Sequence, residues 1–83
     1  MEITFSQHAM NQLVERKIAR ATVVETVNNP DTIQRQENGL YQAAKRNKTE
    51  TREYLLIVIY RQLSDSIHVV TAFRTSKLKK YNL

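Results

Sequence analysis

Eighty-three residues with 41% hydrophobic content suffice for one domain with one modest core, and not for two. The absence of cysteine excludes a disulfide framework and a thiolate metal site, so packing alone must hold the fold, as suits a reducing cytoplasm. A net charge of +5 directs attention to a polyanionic partner, nucleic acid before acidic protein.

The chain opens on a short apolar–polar alternation, Glu2 to Phe5, that reads as a strand. Ser6 is a helix N-cap, and Phe5 and Met10 occupy the two positions of a hydrophobic staple. Ala9, Met10, Leu13 and Val14 then recur at helical spacing, which predicts a helix over 7–16. Val23, Val24 and Val27 predict a second helix over 20–28, with a strand as the rival because all three are β-branched. Asn28-Asn29-Pro30-Asp31 stops it.

From Thr32 the period changes to that of strands. Thr32 to Gln36 and Leu40 to Arg46 flank Asn38-Gly39, the strongest hairpin signal present. Tyr54 to Arg61 is apolar on both faces and reads as a central strand, and Ile67 to Arg74 as the last one. The basic tail, about 75–83, is expected to be a short helix or disordered. The expected fold is a single α+β domain over 1–83, ordered β-α-α-β-β-β-β, with two N-terminal helices covering one face of a mostly antiparallel sheet. Met1 to Phe5 lacks the features of a secretory signal, and the run Leu55 to Tyr60 is too short to span a bilayer, so a cytoplasmic location without membrane contact is expected.

From Ser66 onward the charged residues are Arg74, Lys77, Lys79 and Lys80, with no acid among them. Lys45, Arg46, Lys48 and Arg52 form a second cluster broken only by Glu50. A solvated surface that keeps the protein dispersed is the competing explanation for both. The lone glycine, Gly39, rules out a Gly-rich phosphate loop, and two isolated histidines without HExxH spacing give no basis for a metal site. No cofactor is expected.

What remains are basic and hydroxyl groups near strand ends. Metal-free RNA cleavage needs a group to take the 2′-OH proton, one to protonate the departing 5′-oxygen, and cations around the phosphorus. Arginine suits the last role through its fixed fork of donors. Strict alternation puts His68, Val70, Ala72 and Arg74 on one face of the last strand, with Phe73 on the core face. Arg74, Arg61, His8 and Tyr81 are the catalytic candidates, and Lys45, Arg46, Lys77, Lys79 and Lys80 the RNA-binding ones. Arg16 is expected to pair with a carboxylate or a strand carbonyl, His68 to be exposed, and Tyr41, Tyr54 and Tyr60 to pack across strands.

Phe5-Ser6-Gln7-His8-Ala9, Glu15-Arg16-Lys17-Ile18, Asn29-Pro30 and Val69-Val70-Thr71-Ala72-Phe73 together resemble a bacterial family known as domain of unknown function 4258. Lys17 stands where that pattern has glycine, so the turn after the first helix is open to a different shape. The family is similar to BrnT and, more distantly, to RelE and ParE toxins. The resemblance implies a RelE/BrnT-like sheet and a toxin of a type II toxin–antitoxin pair, acting as an endoribonuclease on RNA, with or without the ribosome, and held by a cognate antitoxin. By position, His8 and Arg16 match recurrent polar residues of the pattern and Thr71 its last-strand threonine. Arg61, Arg74 and Tyr81 match RelE-like enzymes in role only. A non-catalytic module binding nucleic acid or protein, including a ParE-like inhibitor of a protein target, is the alternative.

Overall fold

The computed structural model describes residues 2–81 and 83. Strand β1 (Glu2–Phe5) leads into helices α1 (Gln7–Arg16) and α2 (Arg20–Asn28). Strands β2 (Thr32–Arg35), β3 (Leu40–Lys48), β4 (Glu53–Gln62) and β5 (Ser66–Thr75) follow, with 3-10 turns at Glu37–Gly39 and Leu78–Tyr81.

Both helices have the expected bounds. Ser6 is extended, and its hydroxyl accepts from the Ala9 amide at 3.0 Å, satisfying one of the unpaired donors of the first turn. At the other end the Ile18 amide reaches the Leu13 carbonyl at 2.9 Å and the Lys17 amide the Val14 carbonyl at 3.3 Å. This is a Schellman closure, and Ile18 and Leu13, its apolar pair, are both buried in one core. It requires a left-handed residue at position 17, and Lys17 has φ 53 and ψ 46. A side chain there strains the backbone, and the Lys17 ammonium has no partner among the described residues. Lys17→Gly is therefore expected to stabilise the fold by about 1 kcal/mol, seen as a melting temperature roughly 4–8 °C higher.

The strands form one mixed sheet in the order β1-β5-β4-β3-β2. Three neighbouring pairs are antiparallel; β1 and β5 are parallel, with Glu2 opposite Ser66 and Phe5 opposite Val69. The β2–β3 hairpin turns where Asn-Gly foretells it, with Asn38 and Gly39 both at positive φ and the Gln36 amide closing on the Leu40 carbonyl at 2.8 Å. Helix α1 packs on β5, and α2 on β4 and β3. The helix-facing core holds Ala9, Leu13, Ile18, Val23 and Val27 against Ala43, Leu56, Val58, Tyr60, Ile67, Val69 and Ala72. Tyr41 and Tyr60 stack across β3 and β4 with centroids 5.6 Å apart. Burial, then the neighbouring Tyr41, raises the pKa of the Tyr60 phenol.

One expectation about the last strand needs correction. Strict alternation along β5 fails because Tyr60 pairs with Val69 and Ile59 with Thr71, leaving Val70 as the extra residue of a β-bulge. Past the bulge the faces exchange: Ile67, Val69 and Ala72 share the helix-facing core, whereas Phe73 packs on the opposite face. That opposite face is covered as well. Leu78, Tyr81 and Leu83 pack there with Ile59 and Phe73 against a small cluster of Ala44, Leu55 and Ile57. No helix among the described residues is long and apolar enough to cross a membrane.

Candidate functional site

Four-residue β1 covers only the first half of β5. Helix α1 satisfies the uncovered edge with side chains instead. Ser6 Oγ donates to the Val70 carbonyl at 3.1 Å, and Arg16 Nη1 to the Ala72 carbonyl at 3.1 Å. Gln12 Oε1 accepts from the Ala72 amide at 3.0 Å and from the Thr71 hydroxyl. The expectation for Arg16 holds in its strand-carbonyl form.

Arg74 returns the contact. Its Nη1 donates to the Arg16 carbonyl at 2.7 Å and its Nη2 to the Lys17 carbonyl at 2.9 Å, so a cation closes the negative end of α1. The guanidinium carbon lies 5.7 Å from the centre of the Tyr54 ring, within range of cation–π attraction. Beside it the turn between β3 and β4 is pinned by Thr49, whose Oγ1 accepts from the Arg52 amide at 3.1 Å while its own amide donates to the Arg52 carbonyl at 2.8 Å. That fixes the Arg52 backbone, and the Arg52 guanidinium has no hydrogen-bond or ion-pair partner among the described residues.

These parts enclose an open cleft of about 430 Å³ lined by Thr49, Arg52, Tyr54, Arg74, Thr75 and Ser76. A second hollow, lined by Gln12, Arg16, Phe73 and Arg74, adjoins it through Arg74. Three arginines thus border these two hollows, and no carboxylate lines either. The one ion pair among the described residues, Arg46 to Glu53 at 2.8 Å, involves none of the lining residues. Forked, permanently charged donors beside hydroxyl groups suit the oxygens of a phosphodiester.

The sequence candidates are not gathered here. Arg74 is. Arg61 is five strand positions from Leu56, the residue opposite Arg74, or about 17 Å along β4, and it donates to the Asn38 carbonyl at 2.8 Å to brace the hairpin. His8 is exposed in the first turn of α1, eight residues or about 12 Å from Arg16. Tyr81 packs in the cluster on the far face, with Lys80 Nζ 5.9 Å from its ring centre. Lys45 donates to the Asn29 carbonyl at 2.9 Å and closes the end of α2, and Arg46 is neutralised by Glu53. Both sit within β3, which continues to Lys48 instead of ending at Arg46. Lys77 and Lys79 are exposed beyond β5. His68 is half-buried instead of exposed, its Nδ1 2.8 Å from the Thr4 hydroxyl.

Arg52, Thr49 and Ser76 belong to the cleft without having been singled out as site residues, and Tyr54 serves it beyond its packing role. The sequence hints at Arg52 in two ways: it belongs to the second basic cluster, and it stands just ahead of the central apolar strand, whose end must lie beside the end of the last one. Among the described residues no three acidic or histidine side chains are grouped as a metal ion requires.

Comparison with curated proteins and with solved structures gives no match. Residues 5–80 match the domain of unknown function family DUF4258, so nearly the whole chain is that domain and the protein belongs to this family.

Proposed function

We infer that this protein acts on RNA in the bacterial cytoplasm, as a toxin of a type II pair with metal-independent endoribonuclease activity, held by a cognate antitoxin. The observation that carries the reading is the pair Arg52 and Arg74, with no ion-pair partner among the described residues, on a cleft lined with hydroxyls, with Arg16 in the hollow that adjoins it. RNA cleavage joins the 2′-oxygen to phosphorus as the 5′-oxygen leaves, and two arginines on the non-bridging oxygens oppose the charge that gathers there. Tyr54 is the one lining residue besides the arginines with an ionisable side chain, which makes its phenol the group for proton transfer in this cleft. The resemblance to BrnT and RelE supplies the toxin setting.

A non-catalytic RNA-binding module is the second reading. The dispersal of His8, Arg61 and Tyr81 away from Arg74 favours it, because binding needs only the cations.

Arg52 separates binding from folding, since its guanidinium supports nothing else in the fold. Arg52→Ala is expected to leave the melting temperature within about 2 °C and weaken RNA binding about fivefold to tenfold. It should also lessen the salt dependence by about one phosphate contact. Unchanged affinity would remove the cleft from the RNA path. Expression of the protein in a bacterium, followed by mapping of RNA ends, divides the two readings. New ends lost on Arg52→Ala support cleavage; binding without new ends supports the module.

A further inference from the structure

The other side of α1 carries a different surface. Met10, Leu13, Val14 and Lys17 follow at helical spacing and, with Ile18 and Arg20, line a groove of about 310 Å³ along α1 and the turn that joins it to α2. Its floor is apolar. Val14 is 78% exposed, the most exposed large hydrophobic residue among those described. Its rim is cationic: among the described residues the Lys17 ammonium has no partner, and the Arg20 guanidinium meets the Met10 sulfur at 3.3 Å and the Phe5 ring at 5.1 Å. Neither has a carboxylate partner among the described residues.

We propose that this groove docks an acidic amphipathic helix of a partner protein. The floor argues against nucleic acid, which offers phosphates to cations and little to an exposed valine and methionine. A second copy of this chain is disfavoured by charge, because each carries +5 and would bring Lys17 and Arg20 against a like-charged surface. A carboxylate-bearing segment meets both requirements, placing apolar side chains on Val14 and Met10 and acids on the rim. A helix is the form that fits, since Met10, Leu13, Val14 and Lys17 make a ridge spaced by three and four that packs into the groove of a second helix. Met10 adds a flexible, polarisable wall that adapts to the incoming side chain. The groove uses no residue of the arginine cleft, so this surface stands independently of the RNA reading.

The test is a titration of the isotope-labelled full chain, followed by amide chemical shifts. The probe is a synthetic helix of about 15 residues, with leucine along one face and glutamate on the other. A control peptide carries lysine in place of glutamate. The expected result is shifts centred on Met10, Val14, Lys17, Ile18 and Arg20, with the acidic peptide bound at least about tenfold more tightly than the basic one. Val14→Glu, on an exposed position, should keep the fold and weaken the acidic peptide about tenfold, whereas Arg52→Ala should leave it unchanged. Equal binding of both peptides overturns the proposal, as do shifts centred on Arg52, Arg74 or the lysine tail. Absence of binding at about millimolar peptide, or concentration-dependent shifts at Val14 without peptide, overturns it as well.

Discussion

Arg74→Met is expected to lower the stability of the domain by about 2 kcal/mol and its melting temperature by roughly 10 °C. Two charge-assisted hydrogen bonds end on the last carbonyls of α1, to Arg16 at 2.7 Å and Lys17 at 2.9 Å, and no other side chain among the described residues donates to them. Methionine keeps much of the aliphatic stem and removes both donors together with the cation at the helix end. Arg74→Lys should lose about half as much, keeping the charge and one of the two bonds. Thermal unfolding followed by circular dichroism measures both. The RNA consequence is larger, because the guanidinium that closes the helix also borders the cleft and stands over Tyr54. Affinity is expected to fall more than tenfold with methionine and only severalfold with lysine. A loss of toxicity on Arg74 substitution alone therefore cannot be read as chemistry, since α1 loosens at the same time. Pairing it with Arg52→Ala resolves this: the loss shared by both variants belongs to phosphate binding, and the excess in Arg74→Met to the helix end. If Arg74→Met melts like the wild type, the two carbonyls are served by water and the capping role falls.

Local signals in the chain carried the helices. Ser6 and the Schellman pair Leu13 and Ile18 delimit α1 within a stretch of a dozen residues, and Asn29-Pro30 ends α2 by sterics alone. The hairpin at Asn38-Gly39 is local in the same sense, because those two residues tolerate positive φ where others do not. What is not local was not legible. The parallel pairing of β1 with β5 joins the two ends of the sequence, and no short pattern specifies it. It nevertheless decides the site, because it leaves half of β5 uncovered and obliges α1 to supply hydrogen bonds to that edge. The cleft is hidden for a similar reason: Arg52 and Arg74 are 22 positions apart and meet only through the β4–β5 register and the turn ahead of β4. Arg61 and Tyr81 fit the role of phosphate ligand and proton carrier as residue types. Strand geometry then carried them to another end and another face.

The bulge at Val70 is the feature on which the largest single effect is expected. Ahead of it β5 turns Ile67 and Val69 toward the helices, and beyond it Ala72 and Arg74. Without the extra residue, Phe73 would face α1 and Arg74 would leave it. Gln12 holds this point: its Oε1 accepts from both the Ala72 amide and the Thr71 hydroxyl, inside an interface where Ala72 is fully buried. Gln12→Leu keeps the volume and withdraws the acceptor, leaving two donors unpaired, the Ala72 amide within the buried interface and the half-buried Thr71 hydroxyl. An unpaired buried donor costs about 1–3 kcal/mol, so the expected loss is about 2–4 kcal/mol, a large part of what a domain of this size has. Adding Thr71→Val to Gln12→Leu should restore about 1 kcal/mol, since it removes one of the stranded groups, whereas Thr71→Val alone should destabilise. That reversal of sign between backgrounds is the signature of a shared acceptor, and it is measured by urea unfolding of the four proteins in the cycle. Purely additive costs would mean that Gln12 acts through packing alone. In that case the phase of β5, and with it the placement of Arg74 on the helix end, must be held by the Tyr60–Val69 and Ile59–Thr71 pairings without help from α1.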